Sequence, residues 1–321
     1  MLEATNVVVE FGRARAVDGV NLSVAPGEIV ALVGESGCGK TTLARTLLGL
    51  ERPAAGTVSY EGSPLSYSGR ALRAFRRQVQ LVLQDPMGAL NPRQTVYEAV
   101  AEGPRIHGLP DEEAVVASAL SRAGLRPPDR FFLRYPHELS GGQRQRVVIA
   151  GALALDPKIL IADEPVASLD ASIRGEILAL LLRLRDDLGL GALVVTHDLG
   201  LAWNIADRVA VMYLGRIVES GPTEDVLTNP QHPYTQALLS VLPESPARII
   251  LTGEPPDPTR IPSGCRFHPR CQLVAAGNGK DACHSTPLPT LPATEAPQVS
   301  CHLLAAPAIP SPAVPAERRT R

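Results

Sequence analysis

Residues 34–41, Gly-Glu-Ser-Gly-Cys-Gly-Lys-Thr, constrain this chain more than any other stretch. They follow a short apolar run, Glu28 to Val33, and precede Thr42 to Leu50, which has helical character. Strand, glycine-rich loop and helix in that order are what a phosphate-cradling loop requires. The glycines let backbone N–H groups turn inward around phosphate oxygens, and the helix N-terminus adds a favourable dipole. Lys40 can then reach the β and γ phosphates while the Thr41 hydroxyl ligates Mg²⁺. The plainer alternative is a glycine-rich turn with a surface lysine. Cys38, inside the loop, reads as a tolerated small residue and not as a nucleophile.

Two further apolar runs end in polar residues: Ile159 to Ala162 in Asp163-Glu164-Pro165, and Ala192 to Val195 in Thr196-His197-Asp198. Such runs suit buried parallel strands. Between them Ile173 to Leu188 has the leucine spacing of a helix face, stopped by Gly189 and Gly191. The class is therefore α/β with a parallel sheet, which binds ligands at the C-terminal ends of its strands. Adjacent carboxylates on an extended segment point different ways, so Asp163 can face Mg²⁺ while Glu164 faces an attacking water as general base. Residues 93–148 read as mainly helical. Within them Leu139-Ser140-Gly141-Gly142-Gln143 opens a helix over Arg144 to Ala152, a second anion-seeking helix start.

With 31 basic and 33 acidic residues among 321, the net charge of -2 gives no pull towards nucleic acid or an anionic bilayer. No apolar run approaches the ~20 residues that span a bilayer, and Met-Leu-Glu-Ala lacks the features of a signal peptide. A cytoplasmic location is expected. Fifteen of the thirty prolines fall after Val241, which puts a boundary near 240: a domain over 1–240 and an extension over 241–321 that cannot bury much core unaided. Four of the five cysteines lie in that extension. Arg70, Arg73, Arg76 and Arg77 read as a solvated helix face, and Arg318 to Arg321 as a loose terminus.

The order and spacing of Gly34 to Thr41, Gln84, Leu139 to Gln143, Asp163-Glu164, Ser168-Leu169-Asp170 and His197 resemble those of the ATP-binding cassette ATPases. The resemblance covers about residues 2 to 240. It implies a P-loop NTPase cassette, a RecA-like core with a mainly helical subdomain, working as a head-to-tail dimer. ATP would then lie on Gly34, Ser36, Gly37, Cys38, Gly39, Lys40, Thr41 and Thr42. Phe11 would stack on adenine, although a core phenylalanine is the alternative. From the second chain would come Ser140, Gly141, Gly142, Gln143 and Asp170. Mg²⁺ would sit on Thr41, Gln84 and Asp163, and the catalytic set would be Glu164, His197 and Gln84.

A narrower resemblance, to the oligopeptide and dipeptide uptake branch, rests on Gln84-Asp-Pro-Met-Gly-Ala-Leu-Asn-Pro-Arg93 and on His232-Pro-Tyr-Thr-Gln-Ala-Leu-Leu239. In that branch the first segment meets the coupling helices of the permeases. The implied assembly is two membrane permease subunits, a second ATPase subunit of the same or similar sequence and, indirectly, an extracytoplasmic solute-binding protein, with no nucleic acid. The implied location is the cytoplasmic face of the membrane. The expected function is ATP-driven import of peptides; nickel or another small solute, a soluble cassette ATPase of DNA repair or translation, and a regulatory metal-sensing subunit are the alternatives. The same resemblance points to a [4Fe-4S] cluster on Cys265, Cys271, Cys283 and Cys301. Their spacing lacks the close pair usual for Zn²⁺, but His268, His284 and His302 keep zinc open. The long Cys271 to Cys283 gap makes Cys283 the least typical ligand, and four unligated thiols are the remaining reading.

Overall fold

All five residues of the strand before the glycine loop, β3 (Ile29–Val33), are buried in the computed structural model, which describes residues 1–167, 169–242 and 248–303. A run apolar on both faces needs cover on both faces. Ile29, Ala31 and Val33 point into one core, while Val30 and Leu32 point into a second, as the two-residue period of a strand dictates. The sheet between the two cores comprises β6 (Val79–Val82), β7 (Ile159–Asp163), β8 (Gly191–Thr196), β3, β9 (Arg208–Tyr213), β10 (Arg216–Pro222) and β11 (Gln298–Val299). Strands β6, β7, β8, β3 and β9 run parallel, so their C-terminal ends lie along one edge. The expected parallel α/β class is what forms.

Over the core that holds Val30 and Leu32 lies a four-stranded antiparallel sheet, ordered β2 (Ala14–Val24), β1 (Leu2–Phe11), β4 (Ala55–Tyr60), β5 (Ser63–Pro64). Helix α1 (Lys40–Leu47) adds Leu43, Ala44 and Leu47 to that core. The N-terminal sheet is not evident in the apolar periodicity, because its strands alternate and are broken by register shifts.

The chain then makes α2 (Gly69–Gln78) and a helical lobe that begins earlier and ends later than expected: α3 (Pro86–Ala89), α4 (Val96–His107), α5 (Glu112–Arg122), α6 (Asp129–Phe132) and α7 (Gly141–Leu153). Capping explains the limits. Thr95 and Glu98 form a capping box at the start of α4, and Gly108 ends it in the left-handed region. The helix expected over 173–188 is α8 (Ala171–Leu188), stopped at Gly189 with φ 62°. Helices α9 (Leu199–Ile205), α10 (Thr223–Thr228), α11 (Pro233–Leu239) and α12 (Asp281–Ser285) complete the elements used below. Arg76 departs from the expected solvated face: it is half-buried, and its guanidinium donates to the carbonyls of Leu48 and Gly49.

Among the described residues the extension has no separate core, and its apolar side chains pack into the cores of the cassette. Phe267 is 1% exposed inside the core that holds Ile29, and Leu291 lies in the other core. Strand β11 pairs antiparallel with β10 and covers the edge of the large sheet. Asn21 donates to the Leu291 carbonyl at 2.8 Å, and Arg216 to that of Leu288 at 2.8 Å. Arg208, 6% exposed, bridges Glu28 at 2.9 Å, the Ser23 carbonyl at 2.6 Å and the Thr294 carbonyl at 3.2 Å. Among the described residues no helix is long and apolar enough to cross a membrane. Arg318 to Arg321 lie outside the described residues.

Candidate functional site

Two glycines of the phosphate loop are dictated by contact. A Cβ at Gly34 would stand 2.2 Å from the Met212 carbonyl oxygen, and one at Gly39, where φ is 108°, 2.2 Å from that of Ala16. The loop is thereby pressed against β9 and β2. Gly39 caps α1 without a side-chain bond, so the first N–H groups of that helix remain available to an anion. Lys40 is 6% exposed and folded back, donating to the carbonyls of Gly34 at 2.7 Å and Glu35 at 2.8 Å. Burial pushes the Cys38 thiol up, which fits an inert small residue.

Asp163 and Glu164 follow β7 as expected. Burial raises the Asp163 carboxyl; a hydrogen bond from Thr41 opposes this, and neighbouring Glu164 raises it further. Glu164 sits at φ 46°, a conformation costly for a residue with a Cβ, with its N–H held by the Val195 carbonyl at 2.9 Å. Its carboxylate is fixed from two sides: Gln84 Nε2 donates to Oε2 at 3.0 Å, and His197 Nδ1 lies 3.0 Å from Oε1. A carboxylate can only accept, so the hydrogen on this ring stands on Nδ1. The structure thus brings together Lys40, Thr41, Gln84, Asp163, Glu164 and His197 from the ends of β3, β6, β7 and β8. Phe11, at the end of β1, is 50% exposed, as a face for stacking requires.

Ser140 caps α7 in a closed capping box with Gln143, and the N–H groups of Gly141 and Gly142 are the remaining donors of that helix start, without a partner among the described residues. A Cβ on Gly142 would meet Ile173 of α8 at 2.7 Å. Ser140 and Asp170 are exposed; Ser168 lies outside the described residues.

A groove of about 570 Å³ opens between α2, β6 and the helical lobe, lined by Leu72, Leu81, Leu83, Leu90, Ile106 and Leu155. Leu83 and Ile106, with Met87 nearby in the chain, are about half exposed, at 45%, 53% and 51%. Gln84 follows Leu83 directly, so the groove wall and the Glu164 carboxylate are joined through one residue.

The four C-terminal cysteines line one narrow pocket with room for about 10 Å³, the space of a single water. Among the described residues, no three His, Cys, Asp or Glu side chains are grouped to hold a metal ion. The expected four-thiolate cage is therefore not preformed. Of the three histidines expected to keep zinc open, His268 and His302 line the same pocket, with His268 Nδ1 2.9 Å from the Cys265 carbonyl and His302 Nε2 2.8 Å from that of Thr286. Burial raises the thiols of Cys271 and Cys301, and that of Cys265 to about 11. His232 also lines the pocket; burial lowers it to about 3, and its Nδ1 accepts from Tyr234 N–H, so its hydrogen stands on Nε2, which has no partner among the described residues.

Three residues that sequence reasoning passed over meet at the loop. Glu35 donates its N–H to Tyr234 Oη at 2.8 Å, and its carboxylate receives Arg270 at 2.6 and 3.0 Å. Tyr234 lies inside the conspicuous His232 to Leu239 motif; Arg270 carried no pattern that could have exposed it.

Residues 17–167 match the family model described as ABC transporter, and residues 218–277 the one described as Oligopeptide/dipeptide transporter, C-terminal region. The chain is 45% identical over 268 residues to the dipeptide transport ATP-binding protein DppF of Haemophilus influenzae, covering 81% of each chain. It is 43% identical over 277 residues to the oligopeptide transport ATP-binding protein AppF of Bacillus subtilis, covering 83% of this chain and 84% of that relative. Among solved structures, cbiO1 from Clostridium perfringens, part of the ABC transporter complex cbiONQ, aligns with a TM-score of 0.66 at 32% identity. That alignment covers 71% of this chain and 90% of cbiO1. The dimeric, post-hydrolysis cassette MJ0796 bound to ADP and Pi aligns at 0.61 and 30%, covering 70% and 99%.

Proposed function

The chain belongs to the ATP-binding cassette transporter family, in its oligopeptide and dipeptide branch, and from that premise we propose that it hydrolyses MgATP to drive peptide import through a membrane permease. The observation that carries the chemistry is Glu164 held between Gln84 and His197 beside the phosphate loop. On nucleotide binding Lys40 exchanges the Gly34 and Glu35 carbonyls for phosphate oxygens. Thr41 and Asp163, already hydrogen-bonded to each other, are the residues that would hold Mg²⁺, whose charge offsets that of the phosphates. Glu164 takes a proton from water as its oxygen attacks the γ-phosphorus; the bond from that phosphorus to the bridging oxygen breaks, and ADP leaves. The start of α7 on a second subunit, with Ser140, Gly141, Gly142, Gln143 and Asp170, closes over the same ATP, and Phe11 stacks on adenine.

The apolar groove is the seat for a cytoplasmic helix of the permease, and Gln84 links it to Glu164. With purified permease and solute-binding protein in vesicles, Ile106→Glu should keep the basal ATPase within about twofold. Permease-stimulated activity and peptide uptake should fall about tenfold or more. Unchanged uptake would remove the groove from the coupling path.

The four thiols are the only set of that kind among the described residues, and we assign them to an iron-sulfur group, for which they would have to rearrange from their present positions. Anaerobic purification should yield about four iron and four acid-labile sulfide per chain. One zinc, or no metal, would retire that assignment.

A further inference from the structure

Glu35 is an acidic residue inside a loop that must surround a polyanion, and every polar part of it is tied down. Its N–H is held by Tyr234, its carbonyl by Lys40 and both carboxylate oxygens by Arg270. Two of these three partners come from the chain beyond residue 218. Arg270 is 7% exposed and lies in the short turn between Cys265 and Cys271. Its guanidinium stands 6.0 Å from the Tyr213 ring centroid, and Tyr213 packs on Tyr234 at 4.7 Å and on Phe267 at 5.2 Å. The paired fork of Arg270 on Glu35 is the geometry that fixes a carboxylate in both position and orientation. The hydrogen bond to Glu35 in turn raises the Arg270 guanidinium above its usual range.

We infer that Arg270 is a positioning residue for ATP binding: it draws the Glu35 carboxylate onto the C-terminal module and cancels its charge, so that the loop presents N–H groups, not a carboxylate, to the phosphates. This rests on the reading of the site as an ATPase. Without Arg270 the carboxylate is free to take Lys40 as its counter-ion and to repel the nucleotide. Binding weakens, while the Glu164 carboxylate, held by Gln84 and His197, is untouched. The C-terminal module therefore acts on affinity and not on the chemical step.

The test is a cycle on the full chain with Arg270→Met, Glu35→Gln and both together. It reads MgATP affinity by displacement of a fluorescent nucleotide, and turnover at saturating ATP. Arg270→Met should weaken binding about ten- to a hundredfold, with turnover at saturation within about threefold of the unaltered chain. Adding Glu35→Gln should restore most of the affinity, because the uncompensated charge is gone; a role in folding alone would give no such rescue. Binding by Arg270→Met equal to the unaltered chain, or no recovery in the double variant, overturns the inference. If Arg270→Met does not fold, Arg270→Lys carries the test, because a lysine cannot make the paired fork: affinity weakened about threefold or more and recovered on adding Glu35→Gln supports the clamp, and unaltered affinity overturns it. Failure of the unaltered chain to bind MgATP would remove the ATPase reading itself.

Discussion

Glu164→Gln is expected to lower ATP turnover at least a hundredfold while leaving MgATP affinity within about threefold, as phosphate release and equilibrium binding on the same preparation would show. The substitution keeps the shape and the acceptor oxygen, so Gln84 retains a partner on β7's end. What is lost is the basic carboxylate, and general-base assistance is worth about 10²–10⁴ in rate. Because the phosphate loop is separate from this carboxylate, affinity is spared. Turnover within tenfold of the unaltered chain would show that water is activated by something else, and Glu164 would be left as an anchor for Gln84 and His197.

Arg208→Met should cost about 3–5 kcal/mol of stability, because it leaves the half-buried Glu28 carboxylate without its cation and strands the Ser23 and Thr294 carbonyls. Thermal unfolding should move down by roughly 5–10 °C. Combining it with Glu28→Gln should recover part of the loss, since the larger share comes from the stranded charge. A midpoint within 2 °C of the unaltered chain, roughly the effect of a surface change, would show that water replaces the arginine without penalty.

The parts of the site legible in the sequence were those carried by local chemistry. Glycines at fixed offsets before Lys40, apolar runs ending in Asp163-Glu164 and His197, and a serine before two glycines at Ser140 each fold by short-range rules. Lys40, Asp163-Glu164 and His197 meet because the parallel sheet sets the ends of β3, β7 and β8 along one edge, whereas Ser140 stands at the start of α7 in the helical lobe. The contacts made by the extension follow no such rule. Arg270 reaches Glu35, Arg208 reaches Thr294, and β11 finds β10, across separations that leave no period to detect. The boundary expected near 240 rested on proline content, which reports where regular structure thins out and says nothing about where a segment packs. The four cysteines suggested a ligand as the staple, whereas Phe267 and Leu291 show burial in the cassette's own cores fastening that segment. The N-terminal antiparallel sheet went unread because its strands are bulged and half exposed.

The Arg270 to Glu35 tie also imposes an order on biosynthesis. Glu35 leaves the ribosome 235 residues ahead of Arg270, which follows only after most of the large sheet has been made. Until the last part of the message is translated, the nascent cassette carries an acidic loop with no counter-ion from its own C-terminal module. A polypeptide released early, or cut before residue 270, lacks both this tether and the edge strand β11. The finished chain is thereby marked from within: the Glu35 carboxylate gains its arginine only once the far end of the polypeptide has arrived.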